Sequence, residues 1–226
     1  MERNCYMSWN VRGTRSLVNR QHIAKINSLA RPVLCCLQET KCAKWSESMI
    51  RQLGMGKEVG WVEVSSRGLS GGLLTVWSKD HISISDIIFS QNWILVQGLN
   101  TTSNSQFACL NIYAPQSAKM KQLLWEELGT LLLSLCDLQV CLLGDFNVVR
   151  QSNEKLNFQF IGAIAKAFNS FISRAGLLEI PLVNTTFTWF GPNQKKGRLD
   201  RALVSTAWYE KGGWVLQTYH RGLSDH

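Results

Sequence analysis

No stretch of this sequence reaches about 18 consecutive apolar residues, so no membrane-spanning helix is expected. It has no Cys-x-x-Cys pair and no histidine at zinc-site spacing from a cysteine, so no structural zinc site is expected. Its seven cysteines are an odd number and sit mostly inside apolar runs. They read as small buried hydrophobes in a reducing compartment, nuclear or cytoplasmic, in a protein that is not secreted. A strand pattern begins almost at the N-terminus, which argues against a signal or transit peptide. Low-complexity segments, long linkers and short repeats are also missing, which argues against disorder and repeat architectures. Acidic residues are scarce: Asp plus Glu is 16 against 24 Lys plus Arg, a net charge of +8. That balance favours a polyanionic partner.

What is present is apolar. Hydrophobic residues make up 45% of 226, enough for one large core. Cys5 to Trp9 reads as a strand, Ser16 to Ala30 as a helix stopping before Pro32, and Val33 to Leu37 as a second strand. This is a βαβ pattern, which places strand ends on one sheet edge. Trp61–Val64, Gly72–Trp77, Ile82–Phe89, Trp93–Leu99 and Phe107–Tyr113 follow with short polar breaks, the spacing of an antiparallel meander. Lys119 to Leu135 and Ile161 to Ala175 read as helices. Val140 to Leu143 reads as a buried strand that turns at Gly144. Arg150 to Gln159 reads as a loop, and Thr186–Phe190, Arg198–Val204 and Trp214–Tyr219 as three more strands.

Several of these strands end in polar side chains: Asn10 in "SWNVRG", Glu39 in "LQETK", Tyr113 in "NIYAPQ", Asp145 and Asn147 in "LLGDFN", and Asp200 in "GRLDRALVS". The segment "GLSDH" adds Asp225 and His226. Each has an ordinary reading alone, as a turn former, a cap or a solvated carboxylate. Gathered in one cleft, they suit hydrolysis of a phosphate ester. A hard divalent cation takes carboxylate and amide oxygens, which Glu39 and the asparagines offer. Asp145 would hold and deprotonate a water. His226, paired with Asp200, would donate to a phosphoryl oxygen. Strand alternation would turn Phe146 into the core and leave Asp145 and Asn147 facing the cleft. Arg12, Lys41, Lys195, Lys196, Arg198 and Arg201 are the basic groups available to a nucleic acid.

In order, "WNVRG", "LQETK", "GLSGGLLTVW", "NIYAPQ", "LLGDFN", "FTWFGPNQKKGRLDRALVS" and "GLSDH" resemble the endonuclease/exonuclease/phosphatase superfamily. The likeness is greatest to the endonuclease domain of plant LINE-type (non-LTR) retrotransposons, and it runs from about Cys5 to His226. The resemblance implies a DNase-like four-layer α/β sandwich, with two mixed sheets face to face and helices outside. It implies Mg²⁺-dependent phosphodiester cleavage, with Mn²⁺ as a substitute. Catalytic roles fall to Asn10, Tyr113, Asp145, Asn147, Asp200 and His226, and metal contacts to Glu39, Asn10 and Asp225. Gln116 follows the "YAP" motif where the family often has Asn, and it joins Arg12, Lys41, Lys195, Lys196 and Arg198 as a nucleic-acid contact. Arg12 itself replaces an aspartate common in the family's repair enzymes, which makes base repair a less suitable role. The implied partners are target DNA and a reverse transcriptase domain of a longer polyprotein, with a monomer expected and no membrane. The family continues past His226 into one more core strand, so residues 1–226 are expected to form one domain truncated at its C-terminal end. A non-catalytic remnant of a retroelement, and a phosphatase of inositol phosphates on the same fold, stay open as alternatives.

Overall fold

In the computed structural model, which describes residues 4–68, 70–219, 222 and 224–226, the βαβ unit forms first. Strand β1 (Tyr6–Asn10) pairs in parallel with β2 (Leu34–Gln38), in a register that puts Asn10 beside Gln38. Between them runs α1 (Leu17–Ala30), started by the Ser16 side chain, which accepts from the Asn19 N–H. It stops at Arg31, in the left-handed region just before Pro32. Leu69 of "GLSGGLLTVW" and Leu223 of "GLSDH" lie outside the described residues.

After the short α2 (Glu47–Arg51), the run of strands that reads as one meander is divided between two sheets. Strands β3 (Val59–Val64) and β4 (Leu73–Ser78) pair antiparallel, and β4 closes onto β2, so the first sheet has the order β1-β2-β4-β3. The next hairpins cross to the second sheet: β5 (Ile82–Phe89), β6 (Trp93–Asn100) and β7 (Ser105–Tyr113) are an antiparallel meander. Helix α3 (Ala118–Leu133) then crosses over to β8 (Gln139–Asp145), parallel to β7. The polar loop after it contains a two-residue strand, β9 (Lys155–Leu156), followed by α4 (Gly162–Arg174) and β10 (Leu177–Glu179). A hairpin of β11 (Trp189–Phe190) and β12 (Lys196–Gly197) joins β9 in a small third sheet. Finally β13 (Asp200–Ser205) slots between β10 and β8, and α5 (Thr206–Tyr209) follows. The segment Trp214–Tyr219 makes one isolated bridge, Leu182 to Leu216, instead of the expected strand.

Three apolar clusters separate four layers. Ile23 and Ile26 of α1 and Ile50 of α2 pack on Met7, Cys35, Leu37 and Val76 of the first sheet. Leu34, Cys36 and Leu73 meet Phe107, Cys109, Cys141 and Val204 between the sheets. Leu124, Trp125 and Leu128 of α3, with Phe168 and Phe171 of α4, cover Leu110, Leu142 and Leu203 of the second sheet. The result is the four-layer α/β sandwich, two mixed sheets flanked by helices. Alternation along β8 sends Val140 and Leu142 to the helical side and Cys141 and Leu143 between the sheets. The strand does not turn at Gly144; it continues to Asp145. Glycine is required there because a Cβ would lie 1.9 Å from the Ile112 carbonyl oxygen of the neighbouring strand.

Phe146, the residue after β8, is fully buried, with ring centroids 6.1 Å from Trp125 and 5.2 Å from Phe168. It anchors the end of the strand under the third cluster. Phe146→Ala is expected to lose about 3–5 kcal/mol of unfolding free energy in urea titrations, through lost burial and the cavity left behind.

Candidate active site

The two sheets bring their polar strand ends to one edge. Asn10 closes β1 and has no solvent exposure. Its amide nitrogen donates to Glu39 Oε1 at 3.2 Å and to Asp145 Oδ2 at 2.9 Å. That orientation is fixed by chemistry, since the amide oxygen would repel two carboxylates. The oxygen instead accepts the Arg12 backbone N–H at 3.2 Å. Glu39 follows β2 and takes the Tyr113 hydroxyl at 2.7 Å from the end of β7. Register sets the rest: Tyr113 lies beside Asp145, and Asp145 beside Asp200 on β13. His226 Nδ1 is 2.8 Å from Asp200 Oδ2, and its Nε2 is 3.7 Å from Asp145 Oδ2. Asn147 Nδ2 donates to the Ala114 carbonyl at 2.7 Å, and Asn147 Oδ1 accepts from Gln116 Nε2 at 2.7 Å.

Backbone strain concentrates here. Arg12, Glu39, Lys41 and Asn147 have φ of 54°, 50°, 52° and 52°. Such non-glycine residues cost about 1–3 kcal/mol each and persist only where the surroundings enforce them. For Glu39 the enforcement is visible: Thr40 and Lys41 N–H groups bond to the Gly72 and Gly71 carbonyls.

The electrostatics separate the carboxylates. Burial alone would raise Glu39, but hydrogen bonds from Tyr113 and Asn10 and the charges of Arg12 and Lys41 hold it below the ordinary range. Burial, with Asp200 adding repulsion, pushes Asp145 up to about 6, against the opposing pull of His226 and Asn10. Burial alone would lower His226, yet Asp200, Asp145 and Asp225 outweigh it and raise it to about 9. Burial and the Glu39 carboxylate raise Tyr113 well above its usual value, so it stays a donor.

Ligand atoms of Asp145, Asp200 and His226 lie within 4.8 Å of one another. Both ring nitrogens of His226 face carboxylates, Asp200 at 2.8 Å and Asp145 at 3.7 Å. Glu39 is the carboxylate expected to meet a hard cation. Its charged form is favoured, and among the described residues its Oε2 faces the Lys41 ammonium, at 3.6 Å. The two other residues expected at a metal are engaged within the protein. The Asn10 oxygen is turned to the Arg12 N–H, and both Asp225 oxygens are gripped by Arg12, Nε to Oδ1 at 2.6 Å and Nη2 to Oδ2 at 2.8 Å.

Two basic residues are corrected. The Arg201 side chain is fully buried and paired with Glu154 and Glu179, so it is not a nucleic-acid contact. Arg198 pairs with Glu179 at 2.7 Å and is spent on the same internal network, which Arg150 completes. Lys195 and Lys196 lie on the β11–β12 hairpin, beside the exposed turn residues Pro192, Asn193 and Gln194. The root of that hairpin touches the site, where Trp189 Nε1 donates to Asp225 Oδ2 at 3.0 Å.

Sequence reading missed three supports. Asn111, fully buried between the sheets, accepts from Gln38 Nε2 at 2.7 Å and donates to the Leu74 carbonyl at 3.0 Å, riveting the sheets beneath Glu39 and Tyr113. Lys121 is 5% exposed, and its ammonium donates to the Gln116 carbonyl at 3.2 Å. Its spacing with Leu124, Trp125 and Leu128 on the buried face of α3 was the available signal. Ser224 donates to the Asn10 carbonyl at 2.6 Å and accepts the His226 N–H at 3.1 Å, fastening the histidine to β1.

A buried histidine–aspartate pair facing a second carboxylate, at the edge of a DNase-like sandwich, is the architecture of a phosphoester-acting class of folds. The family model described as Endonuclease/Exonuclease/phosphatase family matches residues 7–226, and the chain belongs to that family. Among solved structures it is similar to an AP endonuclease from Leishmania major, with TM-score 0.71, 16% identity, and 89% of this chain and 79% of that one covered. An AP endonuclease from Archaeoglobus fulgidus gives TM-score 0.66 at 18% identity, covering 90% and 88% of the two chains. A mannosyl-6-phosphatase from Bacteroides thetaiotaomicron gives TM-score 0.62 at 17% identity, covering 88% and 84%. No curated protein matches.

The His226 imidazole is expected to titrate near 9 by NMR, and to fall toward or below the ordinary 6.5 in Asp200→Asn. Because the folded value is raised, the stability this pair contributes is complete below pH 6.5 and is lost as pH rises through about 9. Stability that instead rises over that interval would contradict the pairing.

Proposed function

We propose that this chain is a divalent-metal-dependent DNA endonuclease domain of a LINE-type retroelement, nicking one target strand by phosphodiester hydrolysis. The carrying observation is the Asp200–His226–Asp145 set placed beside Glu39 by Asn10. Asp145, ionised above about pH 6, takes a proton from water as the water oxygen bonds to phosphorus. The P–O3′ bond breaks, and the departing oxygen takes a proton from solvent water and leaves as a 3′-hydroxyl, the group a reverse transcriptase domain needs as primer. His226, charged below about pH 9 and backed by Asp200, donates to a phosphoryl oxygen where negative charge grows. Glu39 would hold Mg²⁺ or Mn²⁺, which when bound supplies neutralisation of the phosphate and of the leaving oxygen. The Tyr113 hydroxyl and the Asn147–Gln116 pair orient the groups around the phosphate.

DNA rather than a small phosphate ester is favoured by the hairpin. Its turn is exposed and is followed by the half-buried Lys195 and Lys196, and its root bonds to Asp225 next to His226. A duplex phosphate in the cleft would leave neighbouring phosphates within reach of such an arm.

Supercoiled plasmid is expected to be nicked with Mg²⁺ and not with chelator, and Glu39→Ala is expected to abolish nicking. Hydrolysis of soluble inositol phosphates with no nicking would favour the phosphatase reading, and no hydrolysis of either the non-catalytic one. The rate against pH is expected to be bell-shaped, rising through about 6 as Asp145 ionises and falling through about 9 as His226 loses its proton. Replacing Lys195 and Lys196 together by Ala is expected to weaken DNA binding and lower the slope of log affinity against log salt by about 2.

A further inference from the structure

Glu39 is surrounded by fixed positive charge. Arg12 Nη1 lies 3.3 Å from its Oε1, and Lys41 Nζ lies 3.6 Å from its Oε2. These cations are not idle surface groups. Arg12 is forked onto Asp225, and both Arg12 and Lys41 have left-handed backbone, at φ 54° and 52°. The Lys41 carbonyl is in turn gripped by Arg15 Nε at 2.8 Å. Meanwhile two nearby carboxylates are occupied: Asp225 by Arg12 and Trp189, Asp145 by Asn10 and His226.

We infer that Arg12 and Lys41 act as a charge gate, so that the free protein binds a divalent ion weakly and binds it well only together with a phosphodiester. The inference rests on the reading of Glu39 as the metal ligand. Like charges at these distances oppose one another strongly in a half-buried site. An incoming dication must share Glu39 with two monocations, and the neighbouring Asp225 and Asp145 are already hydrogen-bonded. A phosphodiester reverses the balance, since its negative oxygens can take the guanidinium and the ammonium and release Glu39. By linkage, the metal must tighten DNA binding by the same factor that DNA tightens metal binding. Arg12 is therefore a positioning residue that makes metal entry depend on substrate, and the free site is guarded against adventitious ions.

The test measures Mn²⁺ affinity by electron paramagnetic resonance. It uses the free protein and the protein with a phosphorothioate duplex that resists cleavage, with duplex alone as the blank. Wild-type protein is expected to bind Mn²⁺ about tenfold or more tightly with the duplex. Arg12→Ala is expected to tighten Mn²⁺ binding to the free protein by about tenfold and to shrink the duplex effect, while Arg12→Lys stays weak. Lys41→Gln is expected to tighten it by a smaller factor, and it decides the matter should Arg12→Ala fail to fold. Equal affinity with and without duplex, or no tightening in a folded Arg12→Ala or Lys41→Gln, would overturn the gate. Glu39→Gln separates the two claims: Mn²⁺ binding that survives it overturns Glu39 as ligand, whatever the arginine variants do.

Discussion

The site depends on one amide nitrogen. Asn10 Nδ2 sits between the carboxylates of Glu39 and Asp145, which come from different sheets. Without it, two buried acids would face each other across the sheet interface with no donor between them, a costly arrangement. The bridge favours the charged form of both acids, yet burial and Asp200 still raise Asp145, while Tyr113, Asn10, Arg12 and Lys41 together hold Glu39 below the ordinary range. On the proposed reading, neighbouring carboxylates of unlike proton affinity suit a metal ligand and a general base. The Asn10 carbonyl does further work, receiving Ser224 and so fixing the segment that carries His226.

Everything beneath this bridge serves to keep it rigid. Asn111 and Gln38 lock one sheet against the other where apolar packing alone would leave the register softer. Phe146 turns away from the cleft into the aromatic cluster of Trp125 and Phe168, so Asp145 leaves the strand in one direction. The Arg150–Arg198–Arg201 network with Glu154 and Glu179 ties the loop after β8, β10 and the base of the hairpin together. Strained backbone at Glu39 and Asn147 is tolerated because these supports over-determine it.

Much of this was legible in the sequence. Long elements declared themselves: α1 by its apolar spacing and its stop before Pro32, β8 by its apolar run. Polar residues at the tips of buried strands stood out as a set, because several strands ended the same way though each residue alone had an ordinary reading. The meander's split between sheets was not legible, because hairpin spacing is the same whether the next strand pairs or crosses. Strands β9, β11 and β12 are two residues each and exist only through tertiary pairing. Arg201 looked like a surface cation because its partners, Glu154 and Glu179, are distant in sequence. Arg12 and Asp225 are separated by 213 positions, so their fork could not be read from either motif.

The most direct measurement is an anomalous-difference map of crystals soaked with Mn²⁺ and a phosphorothioate oligonucleotide. The account predicts one strong peak within coordination distance of Glu39 and a phosphate oxygen, with the Asn10 amide still bonded to both carboxylates. A peak lodged instead among Asp145, Asp200 and His226, with Glu39 uninvolved, would contradict it.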